Sequence, residues 1–264
     1  MRSVCQRLPG GGNKFLPVSG QGETGNRMNE RKPELSARLR LLADWIPPGA
    51  ALADVGTDHA YLPVWLTLEG RLRSAIACDL RPGPLRRGQD TARRFGVFER
   101  IDFRLCDGLA GVGAEETDTV AIAGMGGENI VSILAAAPWT ADGGHTLLLQ
   151  PQSRAEELRA FLCANGYAIL RERLVEDRGT IYPVLEVQSG RQSLSPGQIY
   201  GGAHLTEDPL GGRYLVEQIL RFQTAVAGLN RGSGAETLEK ADRLRDVIGA
   251  LMELWEEWRH ANGS

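Results

Sequence analysis

Hydrophobic and polar positions along the chain repeat with two alternating periods. Over 33–46 the apolar residues Leu35, Leu39 and Leu42 recur at helical spacing, so this segment is predicted to be a helix. Further along, short apolar runs alternate with helical patterns. The predicted strands cover 51–55, 74–78, 101–106, 119–123 and 145–149, and the predicted helices include 82–95, 128–137 and one that Ser153 caps. This alternation predicts an α/β fold, a doubly wound parallel sheet with helices on both faces.

Two further strands at the end of this domain break the parallel pattern. They are predicted over 168–175 and 181–187, with a tight turn at 176–179 between them. A connection this short joins antiparallel neighbours, because a parallel crossover needs a dozen or more residues. The sheet is therefore expected to end in an antiparallel strand pair.

Composition divides the chain into four segments. Residues 1–27 are rich in Gly, Asn, Ser and Gln without periodicity, which predicts a disordered tail, with Met28 as the expected true start. The α/β domain covers 28–188, and a Gly/Ser/Pro-rich linker covers 189–206. The remainder, 207–264, is predicted to be a coiled-coil-like helical hairpin with antiparallel helices at about 208–229 and 236–258, since only a short Gly-rich loop separates them.

Charge and cysteine usage narrow the class of protein. The formal net charge of -3 gives the whole molecule no attraction for nucleic acid, so any such surface must be local. The cysteines Cys5, Cys78, Cys106 and Cys163 are isolated, which argues against a zinc site or a disulfide framework and fits a reducing cytoplasm. No apolar run approaches the roughly 20 residues that a membrane helix needs, and no membrane association is expected.

Acidic residues lie at or next to the ends of the first three predicted strands. Asp54 precedes Gly56, Asp79 precedes Leu80, and Asp107 precedes Gly108, while the fourth strand runs into Gly124, Met125 and Gly126. The carboxyl ends of parallel strands form the ligand edge of such a sheet. Acids there suit a neutral or cationic ligand, and the G-x-G-x-x-G signature of dinucleotide sites is absent. S-adenosylmethionine fits this pattern, although each acid could instead serve as a helix cap.

The loop after the first strand carries the sharpest candidate cluster. Asp58, His59 and Tyr61 would lie above the presumed methyl group of such a cofactor. In the functional interpretation Tyr61 stacks on a base and Asp58 or His59 hydrogen-bonds its edge. In the structural interpretation these side chains belong to the core and the loop.

Four ordered motifs resemble the bacterial TrmK family. They are 52–63 (LADVGTDHAYLP), 106–109 (CDGL), 122–127 (IAGMGG) and 149–151 (LQP). The resemblance implies a Rossmann-like methyltransferase domain over 28–188 that uses S-adenosylmethionine to methylate N1 of adenine 22 in tRNA. It implies cofactor contacts from the acids and glycines named above and a base-facing role for the loop cluster. It also implies that Arg38 pairs with the cofactor carboxylate and that Gln150 and Pro151 bind substrate.

A tRNA substrate needs a local basic surface, because phosphates dominate nucleic-acid affinity. Arg86 and Arg87 are the leading candidates, with the alternative that they only solvate a helix face. The other candidates are Arg31, Lys32, Arg40, Arg71, Arg73, Arg81, Arg93, Arg94, Arg100 and Arg104. The hairpin is more acidic than basic. No metal and no obligate protein partner are expected.

Other functions stay open on the sequence. A methyltransferase for a small molecule or a protein would bind the same cofactor. A non-catalytic cofactor-binding scaffold would not need Asp58, His59 and Tyr61. A nicotinamide dehydrogenase is disfavoured by the missing glycine signature.

Overall fold

The computed structural model describes residues 32–230 and 234–263, together with the backbone of Gln6–Arg7. The strands are β1 (Gln6–Arg7), β2 (Ala50–Val55), β3 (Leu72–Asp79), β4 (Asp102–Leu105), β5 (Thr119–Gly126), β6 (Thr146–Ser153), β7 (Tyr167–Asp177) and β8 (Thr180–Ser189). The helices are α1 (Ala37–Trp45), α2 (Tyr61–Leu68), α3 (Pro82–Arg94), α4 (Gly127–Ala135), α5 (Ala155–Ala164), α6 (Pro196–Gly201), α7 (Gly211–Leu229) and α8 (Ala235–Ala261).

These strands form one mixed sheet in the order β1-β4-β3-β2-β5-β6-β8-β7. The five strands from β4 to β6 are parallel, and β2 lies at the centre with all of its residues buried. Because both faces are covered, the central strands contain runs of consecutive buried residues rather than an alternating pattern. One apolar cluster lies between the sheet and α1 to α3, and another between the sheet and α4 and α5. The doubly wound architecture predicted from the alternation is confirmed.

The antiparallel end of the sheet is also confirmed. β7 and β8 pair antiparallel with Asp177 opposite Thr180, and β8 pairs antiparallel with β6. Arg178 and Gly179 connect β7 and β8 with φ angles of 53° and 80°. Two successive positive φ values suit the twist of a tight hairpin. Because β8 runs antiparallel to β6, this turn lies at the same edge of the sheet as the carboxyl end of β6.

Several boundaries differ from the sequence predictions. Helix α1 begins after Ser36, whose side chain accepts from the Leu39 amide and caps the helix. Ser153 does not cap α5, because β6 continues to Ser153 and Arg154 precedes the helix without a side-chain cap. In the tail predicted to be disordered, Gln6–Arg7 pairs antiparallel with β4, and the rest of 1–31, including Met28, lies outside the described residues.

The segment 189–206, predicted as a linker, contains helix α6. Ser195 and Gln198 form a reciprocal cap at its start. The helix lies close against α8, since a β-carbon at Gly197 would lie 2.6 Å from the Ala250 carbonyl oxygen. This segment therefore packs with the helical hairpin rather than spanning a gap between two bodies.

The predicted helical hairpin is formed by α7 and α8, whose connecting residues 231–233 lie outside the described part of the chain. Asp208 docks it on the sheet. Its Oδ2 accepts from the Leu174 amide of β7 at 2.9 Å, and its carbonyl accepts from Trp258 Nε1 of α8 at 2.9 Å. Asp208 is 2% exposed, so both contacts are shielded from water.

A fully buried ion pair links the same parts of the chain. Arg159 of α5 donates to Glu172 of β7, and neither side chain has any exposed surface. Arg159 Nη1 also donates to the Ile199 carbonyl at 2.8 Å, and Glu172 Oε2 accepts from the Ala203 amide at 2.7 Å. Buried charges are tolerated only when hydrogen bonds satisfy them, and here the segment after β8 supplies those bonds.

None of the helices in the described ranges is both long and apolar enough to cross a membrane.

Candidate active site

Two cavities lie side by side at the carboxyl edge of the parallel strands. The first has a volume of about 550 Å³ and opens between the ends of β2, β3, β4 and β5. The second, of about 800 Å³, extends from the end of β2 toward α1 and the β7–β8 turn. Both linings include Gly56, Asp58, Ala123 and Gly124. The two cavities therefore meet at these four residues.

The first cavity collects most of the predicted cofactor residues. Its lining includes Gly56, Asp79, Leu80, Asp107, Gly108, Gly124, Met125 and Gly126. Asp79 is only 7% exposed, and its Oδ1 accepts from the Arg81 amide at 2.8 Å. Gly108 has φ 53°, and a β-carbon there would lie 2.9 Å from Ile133 Cγ1. This wall is thus built from backbone and a few oriented acids.

Gly56 is favoured by its backbone conformation. Its φ is 75°, and a β-carbon would lie 2.1 Å from the Met125 ε-methyl. Positive φ is accessible to glycine without strain. The backbone of Gly56 consequently faces both cavities without a side chain between them.

Asp54 is a buried acid beneath the junction. It is 6% exposed, lines the second cavity and accepts from the Thr57 hydroxyl at 2.5 Å. Burial raises the pKa of Asp54 to about 6, the Thr57 hydrogen bond opposes that rise, and the nearby Asp79 charge adds to it. A cation bound beside Asp54 would favour its ionised form.

The loop with Asp58, His59 and Tyr61 lies in the second cavity as a group. Asp58 has φ 41°, and Arg87 of α3 donates to its carboxylate from Nε at 3.1 Å. The His59 and Tyr61 rings stack with centroids 5.1 Å apart and an interplanar angle of 11°. Tyr61 is 37% exposed. The pair presents an aromatic surface next to the point where the cavities meet.

The helix α3 approaches this loop closely at Gly88. A β-carbon at Gly88 would lie 3.1 Å from Ala60 Cβ and 3.2 Å from the Asp58 carbonyl oxygen. Ala60 itself has φ 53°. Such conformations are costly for non-glycine residues and persist where the surroundings impose them, and packing against α3 provides that constraint here.

Arg38 lies in the second cavity in a network that reaches across the sheet. Its Nε donates to Asp177 at 2.7 Å and its Nη1 to Gln150 at 2.9 Å, and its guanidinium lies 4.8 Å from the Tyr182 ring centroid. Gln150 Oε1 also accepts from the Gly124 amide at 3.1 Å. Gln150, which was expected to bind substrate, lines the second cavity but is fully buried, and its side chain holds Gly124 and Arg38 in place.

Pro151 and Arg86 do not line the cavities, and Arg87 and Arg104 are paired with carboxylates. Pro151 is buried in β6 and lines neither cavity. Arg86 is exposed on α3 outside both linings, and its Nε donates to the Pro82 carbonyl at 3.3 Å. Arg87 is the partner of Asp58. Arg104 is 5% exposed and pairs with Asp102 and Glu116, so burial removes it from any nucleic-acid surface.

Sequence reasoning missed several residues of the second cavity. Gln152, Asp177 and Arg178 all line it, yet none of them ends a parallel strand. Gln152 was detectable because it directly follows the 149–151 motif. Asp177 and Arg178 were assigned only to a turn, and their approach to the cavity depends on the pairing of β8 with β6.

Within the described ranges, no cluster of His, Cys, Asp or Glu is arranged to hold a metal ion. A sequence profile of the methyltransferase domain family matches residues 35–185, which contain strands β2 to β7, part of β8 and the residues where the two cavities meet. Fold and site thus define the protein as a methyltransferase.

Known relatives narrow this class. The tRNA (adenine(22)-N(1))-methyltransferase of Bacillus subtilis strain 168 is 36% identical over 191 residues, which are 72% of this chain and 78% of that protein. The chain belongs to this family of tRNA methyltransferases, the TrmK family. The crystal structure of B. subtilis TrmK matches with a TM-score of 0.78 and 29% identity over 84% of this chain and 99% of that one.

A second solved relative is a candidate tRNA (m1A22) methyltransferase of Streptococcus pneumoniae in complex with S-adenosyl-L-methionine. It matches with a TM-score of 0.74 and 32% identity, and the match covers 84% of this chain and 100% of that one. The match thus extends beyond the methyltransferase domain into the helical region of this chain.

Proposed function

We propose that this protein transfers the methyl group of S-adenosylmethionine to N1 of adenine 22 in the D arm of tRNA. The observation that carries the proposal is the meeting of two cavities at Gly56, Asp58, Ala123 and Gly124. One cavity is lined by oriented acids and backbone, and the other by an aromatic pair and polar side chains. A group-transfer enzyme needs such adjacent sites, because its two reactants must be held in contact.

The first cavity fits S-adenosylmethionine. Asp79 is held by the Arg81 amide, so its carboxylate is oriented to accept from the ribose hydroxyls. Asp107 at the same wall is the acceptor for the adenine amino group, and the close-packed Gly108 leaves the wall flat. The methionine part would extend past the residues that the two cavities share into the second cavity, where Asp54, with its raised pKa, would compensate its positive charges. Arg38 keeps one guanidinium nitrogen for the cofactor carboxylate while Nε and Nη1 hold Asp177 and Gln150.

The second cavity suits a flat base presented to the junction. When bound, the cofactor supplies a methyl group on a positively charged sulfur. Adenine N1 carries a free lone pair and no proton, so the residues of the cavity need to align the ring rather than remove a proton. Tyr61, backed by His59, offers a stacking surface worth about 1–3 kcal/mol per base. Asp58, held by Arg87, places negative charge where the ring becomes cationic.

The outer face of α3 supplies a phosphate-binding surface. Arg86 is exposed there, and Arg81, just before the helix, is also exposed and lines the first cavity. Several other candidate arginines are engaged within the protein. Those engaged are Arg71, Arg73, Arg87, Arg93 and Arg104. We place the reaction in the cytoplasm with tRNA as the partner and expect no obligate protein partner.

The test is transfer of labelled methyl groups from S-adenosylmethionine to unmodified tRNA transcripts, with the product mapped by mass spectrometry. We expect 1-methyladenine at position 22, and no product in a transcript with guanine at that position. The Asp79→Asn variant should lose cofactor affinity and transfer together. Cofactor binding without transfer to any tRNA would refute the tRNA assignment while leaving the methyltransferase class intact.

A further inference from the structure

The strands β5 and β6 are interrupted at two facing positions. Ala123 pairs with Gln150, but Met125 pairs with Pro151, so Gly124 is an extra residue on β5. Gly126 then pairs with Ser153, so Gln152 is an extra residue on β6. Such bulges commonly occur beside active sites, where they redirect a side chain out of the regular pattern. Both extra residues line the second cavity.

The bulge leaves the Gln152 side chain next to the cavity junction. Its Nε2 lies 3.6 Å from the position of a β-carbon on Gly124, one of the four shared residues. Gln152 is exposed, and its amide makes no hydrogen bond to any residue within 32–230 or 234–263. By contrast, the Gln150 side-chain oxygen accepts from Arg38 and from the Gly124 amide, and its Nε2 donates to the Pro151 carbonyl. The Gln152 carboxamide can therefore bind a ligand at the junction, whereas the Gln150 carboxamide holds neighbouring groups of the protein in place.

The chemistry of a carboxamide determines what it can recognise there. Adenine offers a donor at N6 and an acceptor at N7 on one edge, and glutamine pairs with both at once. That edge leaves N1 free to reach the methyl group. Guanine presents acceptors at both O6 and N7, so the same carboxamide would leave its oxygen facing another oxygen.

We propose that Gln152 is the specificity-determining residue for the target base and that it reads the N6 and N7 positions of the adenine. This assignment rests on the proposed function, since it presumes an adenine in the second cavity. The assignment accounts for the two bulges, because in a regular strand pair residue 152 would have a partner on β5.

The test compares wild-type protein and Gln152→Ala on tRNA carrying either adenine or 7-deazaadenine at position 22. The analogue keeps N1 and N6 and lacks the N7 acceptor. We expect Gln152→Ala to lower kcat/KM on natural tRNA by about 10- to 100-fold, the usual range for a bidentate base contact. The wild type should discriminate against the analogue by about tenfold, and the variant should not. Altered ring electronics act equally on both proteins and cancel in this comparison.

Two controls separate this role from others. Ser153→Ala changes the next residue of β6, which lines neither cavity, and should keep wild-type discrimination. Calorimetric affinity for S-adenosylmethionine should be unchanged in Gln152→Ala. Equal discrimination by wild type and variant, or a loss of cofactor affinity that matches the loss of transfer, would overturn the assignment of Gln152 and leave the proposed function intact. No transfer to adenine 22 by the wild type would overturn the proposed function and the assignment with it.

Discussion

Replacing Asp54 by Asn should stabilise the protein without cofactor while weakening its function. Burial raises the pKa of Asp54 from its ordinary value of 3.8 to about 6. A tenfold difference in proton affinity is worth about 1.4 kcal/mol, so ionised Asp54 costs the folded state about 3 kcal/mol above pH 6. Asn keeps an acceptor for the Thr57 hydroxyl and carries no charge. The variant should therefore gain up to about 3 kcal/mol of unfolding free energy at pH 7.5.

The sign of the pH dependence makes this prediction specific. The folded wild type binds its proton more tightly than the unfolded chain, so its stability falls as pH rises from about 4 to about 6 and then levels off. The gap between Asp54→Asn and wild type should therefore shrink to about 1 kcal/mol at pH 4.5. Urea denaturation at both pH values measures it, with the exposed Asp90→Asn as the control for loss of one charge.

The reasoning about Asp54 would be refuted by a variant that is less stable than wild type at pH 7.5, or by a gap that does not change with pH. A parallel titration with S-adenosylmethionine should show weaker binding to Asp54→Asn at pH 7, because the variant lacks the carboxylate that faces a cationic ligand. If Asp54→Asn gains unfolding free energy and loses affinity for S-adenosylmethionine, the Asp54 carboxylate is retained for binding the cofactor rather than for stability.

Two further predictions concern the base and the docking of the hairpin. Tyr61→Ala should lower turnover on tRNA by about 10- to 100-fold with cofactor affinity unchanged, and single-turnover assays with calorimetry check both; unchanged turnover would remove Tyr61 from the site. Glu172→Gln should cost about 3–5 kcal/mol of stability, because it leaves Arg159 charged and buried without its partner. Urea denaturation measures this loss, and the double variant Arg159→Met, Glu172→Leu should recover most of it; a double variant as unstable as the single one would contradict the explanation.

The sequence was informative wherever a local pattern determines structure. Strand ends follow from apolar runs that stop at Asp54, Asp79 or Asp107, and these ends meet at one edge because parallel strands share a direction. The antiparallel end of the sheet followed from the length of a single turn. Both inferences need only near neighbours along the chain.

Features that depend on residues far apart in the sequence could not be predicted from such local patterns. Arg38 and Asp177 are 139 residues apart and meet only after the whole sheet has formed. The bulge at Gln152 is a mismatch between two strands, so neither strand shows it alone. Arg104 appeared to be one more surface arginine, and only its pairing with Asp102 and Glu116 shows that it is interior.

The contacts that dock the hairpin have a consequence for how the protein is made. Synthesis proceeds from the amino end, so the methyltransferase sheet emerges from the ribosome before its last helices. Yet the buried Glu172 accepts a hydrogen bond from the Ala203 amide, the edge strand β7 donates one to Asp208, and Trp258 donates one to the Asp208 carbonyl. The catalytic domain of the nascent chain therefore carries incompletely bonded buried charge until residues 199–208 have been released, and a message truncated before them would leave Arg159 and Glu172 without these hydrogen bonds.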